Sequence, residues 1–136
     1  MSKGNSGYFT GTSGEGKALI DEVMQRGDKI SPNDVIGITK DKSGNIVWLE
    51  NGHLGEHPSG LAHILDEHES QFNDIGIFTN DISNFVLNAV GKGEIVGYQG
   101  KGQGRPIYEV TYNGEKHQVA ITVGSNGYIV GANPKK

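Results

Sequence analysis

The C-terminal third of the chain alternates apolar and polar residues around two Asn-Gly pairs, Asn113-Gly114 and Asn126-Gly127. Asn-Gly accepts the positive φ that a two-residue hairpin requires, so each pair predicts a tight turn between antiparallel strands. The strands are predicted at 94–99, 107–112, 118–123 and 128–131. This half of the chain is therefore expected to form an antiparallel meander.

The alternation within these strands also predicts two unlike faces. On one strand Tyr108 and Val110 alternate with Glu109, and on the next Ile121 alternates with Thr122. Because side chains on a strand point alternately to opposite faces, the larger apolar set should face the rest of the domain. Thr122, Glu109 or Thr111 are then expected to line an open face.

The N-terminal part of the sequence is predicted to form helices and one β-hairpin. Apolar residues at three-and-four spacing predict helices over 14–26, 60–72 and from 82 to about 90, and β-rich runs at 34–39 and 45–50 flank a polar turn. Helices first and sheet last predict an α+β fold, with N-terminal helices packed on a twisted antiparallel β-sheet and a C-terminal β-meander. We expect residues 1–12 to be disordered or a linker and 13–136 to form a single domain.

Composition narrows the classes of function. The chain has 136 residues, no cysteine and a net charge of -4. Thiol chemistry and disulfides are thereby excluded, and broad nonspecific binding to nucleic acid is disfavoured because it needs a basic surface. No apolar run approaches the length needed to span a membrane.

Two histidines, His63 and His68, lie five residues apart on the predicted helix 60–72. Histidine has the side-chain pKa nearest neutral pH, so a pair offers one proton acceptor and one donor to a single reaction. At about 100° per residue, His68 falls within the apolar stripe of the helix and His63 falls opposite, beside Asp66 and Glu67. We therefore expect His68 to face the sheet and His63 to face outward. The two rings can share a substrate only where the helix edge forms the wall of a cleft.

Metal-free RNA cleavage needs a base, an acid for the leaving oxygen, and donors around the phosphorane. The chain holds candidates for each role. The acid and base candidates are His63, His68 and His117, the phosphate contacts are Lys92, Lys101, Arg105 and Lys116, and the hydroxyl donors are Thr122, Ser125 and Tyr128.

Two other interpretations stay open. The first is a metal-dependent hydrolase, because four histidines and two glutamates crowd into residues 53–68, although their spacing matches no metal signature. The second is a noncatalytic protein-binding module, in which His68 is a core-edge residue and His63 a solvated surface residue.

Four motifs follow one another in a recognisable order. They are Gly60-Leu61-x-His63-Ile64-x3-His68, Gly97-Tyr98-Gln99-Gly100, Arg105-x-Ile107-Tyr108-Glu109-Val110 and the tail 119–134. On these motifs the chain resembles the C-terminal toxin domains of bacterial polymorphic toxins, over roughly Val35 to Pro134. More narrowly, it is similar to the toxin tips of contact-dependent growth inhibition (CdiA) proteins and related phage-borne domains, grouped in the barnase/EndoU/colicin/RelE (BECR) nuclease superfamily.

The resemblance implies a metal-independent endoribonuclease toxin with a BECR-like fold, no cofactor and an active site in a cleft on the sheet. It implies cleavage of RNA, tRNA in many relatives, by 2′-hydroxyl attack that leaves a 2′,3′-cyclic phosphate. The residues that match the family's motifs are His63, His68, Arg105, Tyr108, Thr122 and Ser125. We expect His63, His68, Arg105 and Thr122 to be catalytic. The expected substrate-binding residues are Tyr108 and Ser125, together with Lys92, Lys101 and Tyr128, which are candidates by residue type alone.

The same resemblance implies partners and a location. A cognate immunity protein would neutralise the toxin, and a host factor is a further candidate partner that would present the RNA. The domain would be secreted as the C-terminal tip of a larger bacterial surface protein and act in the cytoplasm of the target cell. Its polar start, which has no export signal, fits such a tip. The net charge of -4 differs from the positive charge expected of a protein that binds RNA. An acidic surface would instead fit an interface with an immunity protein.

Overall fold

The computed structural model describes residues 8–100 and 105–135, which form an α+β fold of three α-helices and two antiparallel sheets. The predicted fold class is confirmed. None of the described helices is long and apolar enough to cross a membrane. The helices are α1 (Gly14–Gln25), α2 (Gly60–Asp74) and α3 (Ile82–Lys92), and the strands are β1 (Val35–Lys40), β2 (Ile46–Glu50), β3 (Glu94–Gln99), β4 (Arg105–Tyr112), β5 (Glu115–Val123) and β6 (Ile129–Lys135).

The four C-terminal strands form one sheet in chain order, β3-β4-β5-β6, with every neighbouring pair antiparallel. Asn113 and Gly114 turn the chain between β4 and β5 with φ values of 53° and 82°. Gly127, with φ 108°, lies in the turn before β6. The predicted meander is confirmed, because both Asn-Gly pairs lie where the chain reverses.

The two faces of this sheet differ as the alternation predicts. One face packs against α2 and α3 and contributes Tyr108, Val110, Val119, Ile121 and Ala132 to the main core. The other we call the polar face. Strand register places Gln99, Arg105, Glu109, Gln118, Thr122 and Asn133 on it. Apolar packing on one side thus holds a polar array in place on the other.

The β1–β2 hairpin joins the sheet through Trp48. Its backbone N–H donates to the carbonyl of Gly127 at 2.9 Å, and its ring meets Tyr128 edge-on at 6.1 Å between centroids. Trp48 is fully buried in a second core with Ile20 and Val23 of α1. The hairpin therefore ties α1 to the turn that precedes β6.

The described chain begins before the predicted start of order at residue 13. Phe9 pairs with Ile38 of β1 through two backbone hydrogen bonds of 2.8 Å, and the Tyr8 hydroxyl donates to Asn84 on α3. Tyr8–Thr12 therefore packs on the domain, whereas residues 1–7 of the predicted disordered or linker segment lie outside the described residues. The pairing was not predicted because it adds a short isolated bridge, with no apolar alternation of its own.

The start of α2 is fixed by a close approach of two backbones. A Cβ on Gly60 would lie 2.7 Å from the carbonyl oxygen of Glu50, and φ at Gly60 is +73°. Ala62 N–H donates to the carbonyl of Asn51 at 2.9 Å. Because only glycine fits this approach without strain, α2 starts directly beside the end of β2 and then runs along β6.

The core predicts a large effect of Phe85→Ala on stability. Phe85 is fully buried, with the rings of Phe72 and Tyr112 packed nearly perpendicular to it at 5.9 and 5.3 Å. Removing its ring should lower the free energy of unfolding by about 3–5 kcal/mol in urea denaturation. The matched control is Phe78→Ala, since Phe78 is 67% exposed; it should change that free energy by about 0.5 kcal/mol or less. Equal effects would contradict this packing.

Candidate functional site

His63 of α2 lies against β6 at a glycine. A Cβ built on Gly131 would lie 3.2 Å from Cδ2 and 3.6 Å from Nε2 of the His63 ring. Gly131 is paired with Thr122 on β5. Side chains of directly paired residues project to the same face with Cβ atoms about 4.5–5.5 Å apart. The imidazole and the Thr122 hydroxyl are therefore neighbours at the edge of the polar face.

The predicted orientation of the two histidines is wrong. His63 packs on the sheet instead of facing outward, while His68 Nδ1 hydrogen-bonds Gln71 Oε1 on its own helix at 2.6 Å. The apolar stripe, represented by Ile64 and Phe72, does enter the main core. A second flank of α2 lies along β6, however, and helical phase alone does not reveal a strand beside the helix. The structure thus separates the surroundings of His63 and His68.

Arg105 lies on the same polar face and donates to one amide side chain, which a second amide holds in place. Its Nη1 donates to Asn133 Oδ1 at 2.6 Å. Gln99 and Asn133 exchange two hydrogen bonds, each 3.3 Å long. Ala120 stands opposite Asn133 on the intervening strand, and its small side chain lets Arg105 reach across β5. Asn133 follows Gly131 by two residues, about 7 Å along the strand.

The positive charge of Arg105 is not neutralised within the described part of the chain. Ion pairs there involve Arg26, Lys42, Lys116 and His117, and none includes Arg105. Its hydrogen-bond acceptor is a neutral amide. A guanidinium placed this way retains free N–H donors and full charge for an anion.

Two buried polar atoms near this place lack hydrogen-bond partners among the described residues. They are Nδ1 of His63 and Oγ1 of Thr122. An unpaired buried polar group costs about 1–3 kcal/mol, so natural proteins keep few of them. Two adjacent ones are the pattern expected where a ligand or water supplies the missing hydrogen bonds.

Two predicted binding residues, Tyr108 and Lys92, are not brought to the polar face. Tyr108 is 7% exposed on the core side of the sheet, and burial, with Asp41 and Tyr98 nearby, raises its pKa above the ordinary tyrosine value. Lys92 precedes β3 at the end opposite Gln99, which pairs with Arg105; that separation is roughly 17 Å along the strand. Lys101 lies outside the described residues.

Ser125 and Tyr128 belong to the turn between β5 and β6. Ser125 is exposed beside a cavity that Arg26 and Asp28 also line. The Tyr128 hydroxyl hydrogen-bonds Ser59 Oγ at 2.9 Å, immediately before α2. Ser125 and Tyr128 therefore lie beside the β1–β2 hairpin and the start of α2, and not beside Arg105 and its partners Gln99 and Asn133.

Sequence reasoning missed three members of the site, Gln99, Gly131 and Asn133. The sequence could have indicated two of them, because Gly131 and Asn133 are two residues apart on one strand and their side chains therefore lie on the same face of the sheet. Gln99 had no such signal, since its contact with Asn133 spans the whole sheet.

The described residues offer no preassembled metal site. In 8–100 and 105–135, no three His, Asp or Glu side chains lie close enough together to hold one ion. His53 and His57 lie on the exposed loop before α2, and the His53 ring contacts the carbonyl of Leu54 at 3.3 Å. The alternative of a metal-dependent hydrolase thus gains no ligand set in this part of the chain.

The contact between His63 and Gly131 predicts the result of Gly131→Ala. The new methyl group would press on the ring at 3.2 Å, so the imidazole should move. We expect the His63 ring resonances in the NMR spectrum to shift while those of the other histidines stay in place. Gly97→Ala is the control on the same face, where the nearest atom would be Ile107 Cδ1 at 3.9 Å, and it should leave His63 unchanged. Identical His63 resonances in wild type and Gly131→Ala would contradict this placement.

Comparison with known proteins assigns no family to this chain. No protein-family model matches the sequence, and no curated protein matches it significantly. A function for the polar face is therefore argued from its geometry and chemistry, together with the sequence resemblance.

Proposed function

We propose that the chain is a metal-independent endoribonuclease whose active site is the part of the polar face between His63, Thr122 and Arg105. The observation that carries this proposal is the unneutralised Arg105 guanidinium on the same sheet face as a histidine and a threonine with unpaired polar atoms. A cation, a proton carrier and a hydroxyl donor are the groups that phosphodiester transesterification requires.

In this proposal His63 is the general base. It takes the proton of the ribose 2′-hydroxyl as that oxygen attacks the adjacent phosphorus. The bond between phosphorus and the 5′ oxygen then breaks, and solvent protonates the leaving oxygen. The products are a 2′,3′-cyclic phosphate and a free 5′-hydroxyl. Histidine suits this role because its neutral form is abundant near pH 7.

Arg105 and Thr122 would stabilise the charge that develops on the phosphorane. The Gln99–Asn133 pair fixes Arg105 before substrate arrives, so little reorganisation is needed during the reaction. Thr122 would donate its hydroxyl to a non-bridging oxygen. His68, bonded to Gln71, takes no direct part.

The biological setting is proposed from the sequence resemblance. The chain would be a toxin used in competition between bacteria, delivered as the tip of a larger surface protein and acting on RNA, with tRNA the first substrate to test, in the target cytoplasm. A cognate immunity protein would neutralise it, and a host factor would raise the rate of cleavage by presenting the RNA without being required for it.

A second candidate, a noncatalytic protein-binding module, is favoured by one observation. β3 is a terminal strand of the described four-stranded sheet, and Ile95, Val96 and Tyr98 on it are each about half exposed. A terminal strand with apolar side chains is suited to pairing with another protein. The same surface would also fit an immunity protein, so activity is the property that separates the two functions.

Activity is tested by incubating the purified chain with total tRNA in EDTA. We expect cleavage that yields 2′,3′-cyclic phosphate ends, and we expect His63→Ala to lower the rate by about 10²–10⁴-fold, the usual contribution of a general base. His68→Ala is the matched control and should change the rate by less than about threefold, because removing a surface hydrogen bond leaves the reacting groups in place.

Three outcomes would contradict the proposal. They are no cleavage by the wild-type chain, cleavage that needs an added metal ion, and equal losses in the two histidine variants. A DNA oligonucleotide, which lacks the 2′-hydroxyl, should not be cleaved.

A further inference from the structure

A buried carboxylate lines a second cavity near the proposed active site. Glu50, the last residue of β2, is 6% exposed and lines a cavity of about 410 Å³. Its Oε2 accepts from Trp48 Nε1 at 2.9 Å and from Ser31 N–H at 3.1 Å. Two donors on one oxygen fix the carboxylate and leave Oε1 without a hydrogen-bond partner among the described residues.

The cavity wall also offers hydrogen-bond donors. Asn126 Oδ1 accepts from the backbone N–H of Tyr128 at 3.1 Å, which fixes the amide, while its Nδ2 has no acceptor within 8–100 and 105–135. The hydroxyls of Ser59 and Tyr128, paired at 2.9 Å, line the same space. Glu50 and Asn126 therefore line one cavity, the first with an unpaired acceptor atom and the second with an unpaired donor.

An acceptor on Glu50 and a donor on Asn126 restrict the kinds of ligand that the cavity can bind. A phosphate is disfavoured because two carboxylates, Glu50 and Asp34, line the cavity against one lysine, Lys29. A simple ammonium group needs acceptors only, so it would leave Asn126 Nδ2 unpaired. A nucleobase with an exocyclic amino group next to a ring acceptor satisfies both sides, since carboxylates accept hydrogen bonds from such amino groups.

The position of the cavity suits a base attached to the cleaved phosphate. Ser59 precedes His63 by four residues at the start of α2, which is about 6 Å along a helix axis. Tyr128 precedes Gly131 by three residues at the start of β6. The cavity and the His63 position are thus adjacent, while Arg105 lies farther along the sheet.

We propose that this cavity is a base-recognition subsite in which Glu50 accepts from the exocyclic amino group of adenine, cytosine or guanine, with Asn126 donating to the neighbouring ring acceptor or carbonyl. The inference rests on the proposed RNA substrate. Uracil is disfavoured because its single ring N–H lies between two carbonyl oxygens, which would approach the carboxylate.

Binding is tested by titrating the ¹⁵N-labelled full chain with CMP, AMP, GMP and UMP in EDTA. Trp48 is the only tryptophan in the chain, and its indole N–H bonds Glu50, so its single side-chain NMR signal reports on the cavity. We expect a saturable shift with at least one amino-bearing nucleotide, at an affinity at least about tenfold higher than for UMP.

Glu50→Gln is the decisive variant. The amide oxygen still accepts from Trp48 and Ser31, so its NH₂ group must occupy the position of Oε1 and present a donor in place of an acceptor. The preference over UMP should disappear. Glu56→Gln, which removes an exposed charge on the loop before α2, should retain it.

A second variant keeps the test decisive if Glu50→Gln is poorly folded. Asn126→Asp retains the acceptor for Tyr128 N–H and replaces the free donor by an acceptor, so it should also weaken binding by about tenfold. Equal binding of UMP, no shift with any nucleotide, or an unchanged preference in either variant would overturn the subsite. RNA cleavage without these preferences would overturn this inference alone, whereas selective nucleotide binding without RNA cleavage would support the subsite and overturn the proposed function.

Discussion

The contact between His63 and Gly131 is the constraint on which the arrangement of the site depends. Any larger residue at position 131 would press on the ring, so glycine at this position lets α2 lie close beside β6. That approach brings the helix to the sheet edge while Ile64 and Phe72 stay in the main core. A helix flank and a strand face thereby combine into one site, and close packing makes the arrangement rigid.

Side chains along the strands alternate between the core, which stabilises the fold, and the polar face, which carries the candidate reactive groups. Val119 and Ile121 anchor β5 in the core, and Thr122, which directly follows Ile121, projects to the polar face. Arg105 is kept there by neutral amides and not by carboxylates. A chain with net charge -4 thus presents a local cation without needing a basic surface. This is the physical basis for proposing an anionic substrate in an acidic protein.

Features with a local cause were predictable from the sequence. The meander follows from Asn113-Gly114 and Asn126-Gly127, and the two sheet faces follow from side-chain alternation, because each depends on neighbouring residues. The orientation of His63 was not predictable, since it depends on β6 lying beside α2 across nearly seventy residues. Glu50 was missed for a similar reason: its hydrogen-bond partner Ser31 and the Tyr128 wall come from distant segments.

The central claim is that RNA binds on the polar face without a metal ion. The most direct measurement is NMR mapping of the labelled chain with a short 2′-O-methyl RNA, which lacks the attacking hydroxyl and so is bound without being cut, in the presence of EDTA. The account predicts that the largest backbone shifts fall at Gln99, Thr122 and Asn133, around Arg105 and His63. Shifts confined to α1 and β1, or no shifts until a divalent ion is added, would contradict it.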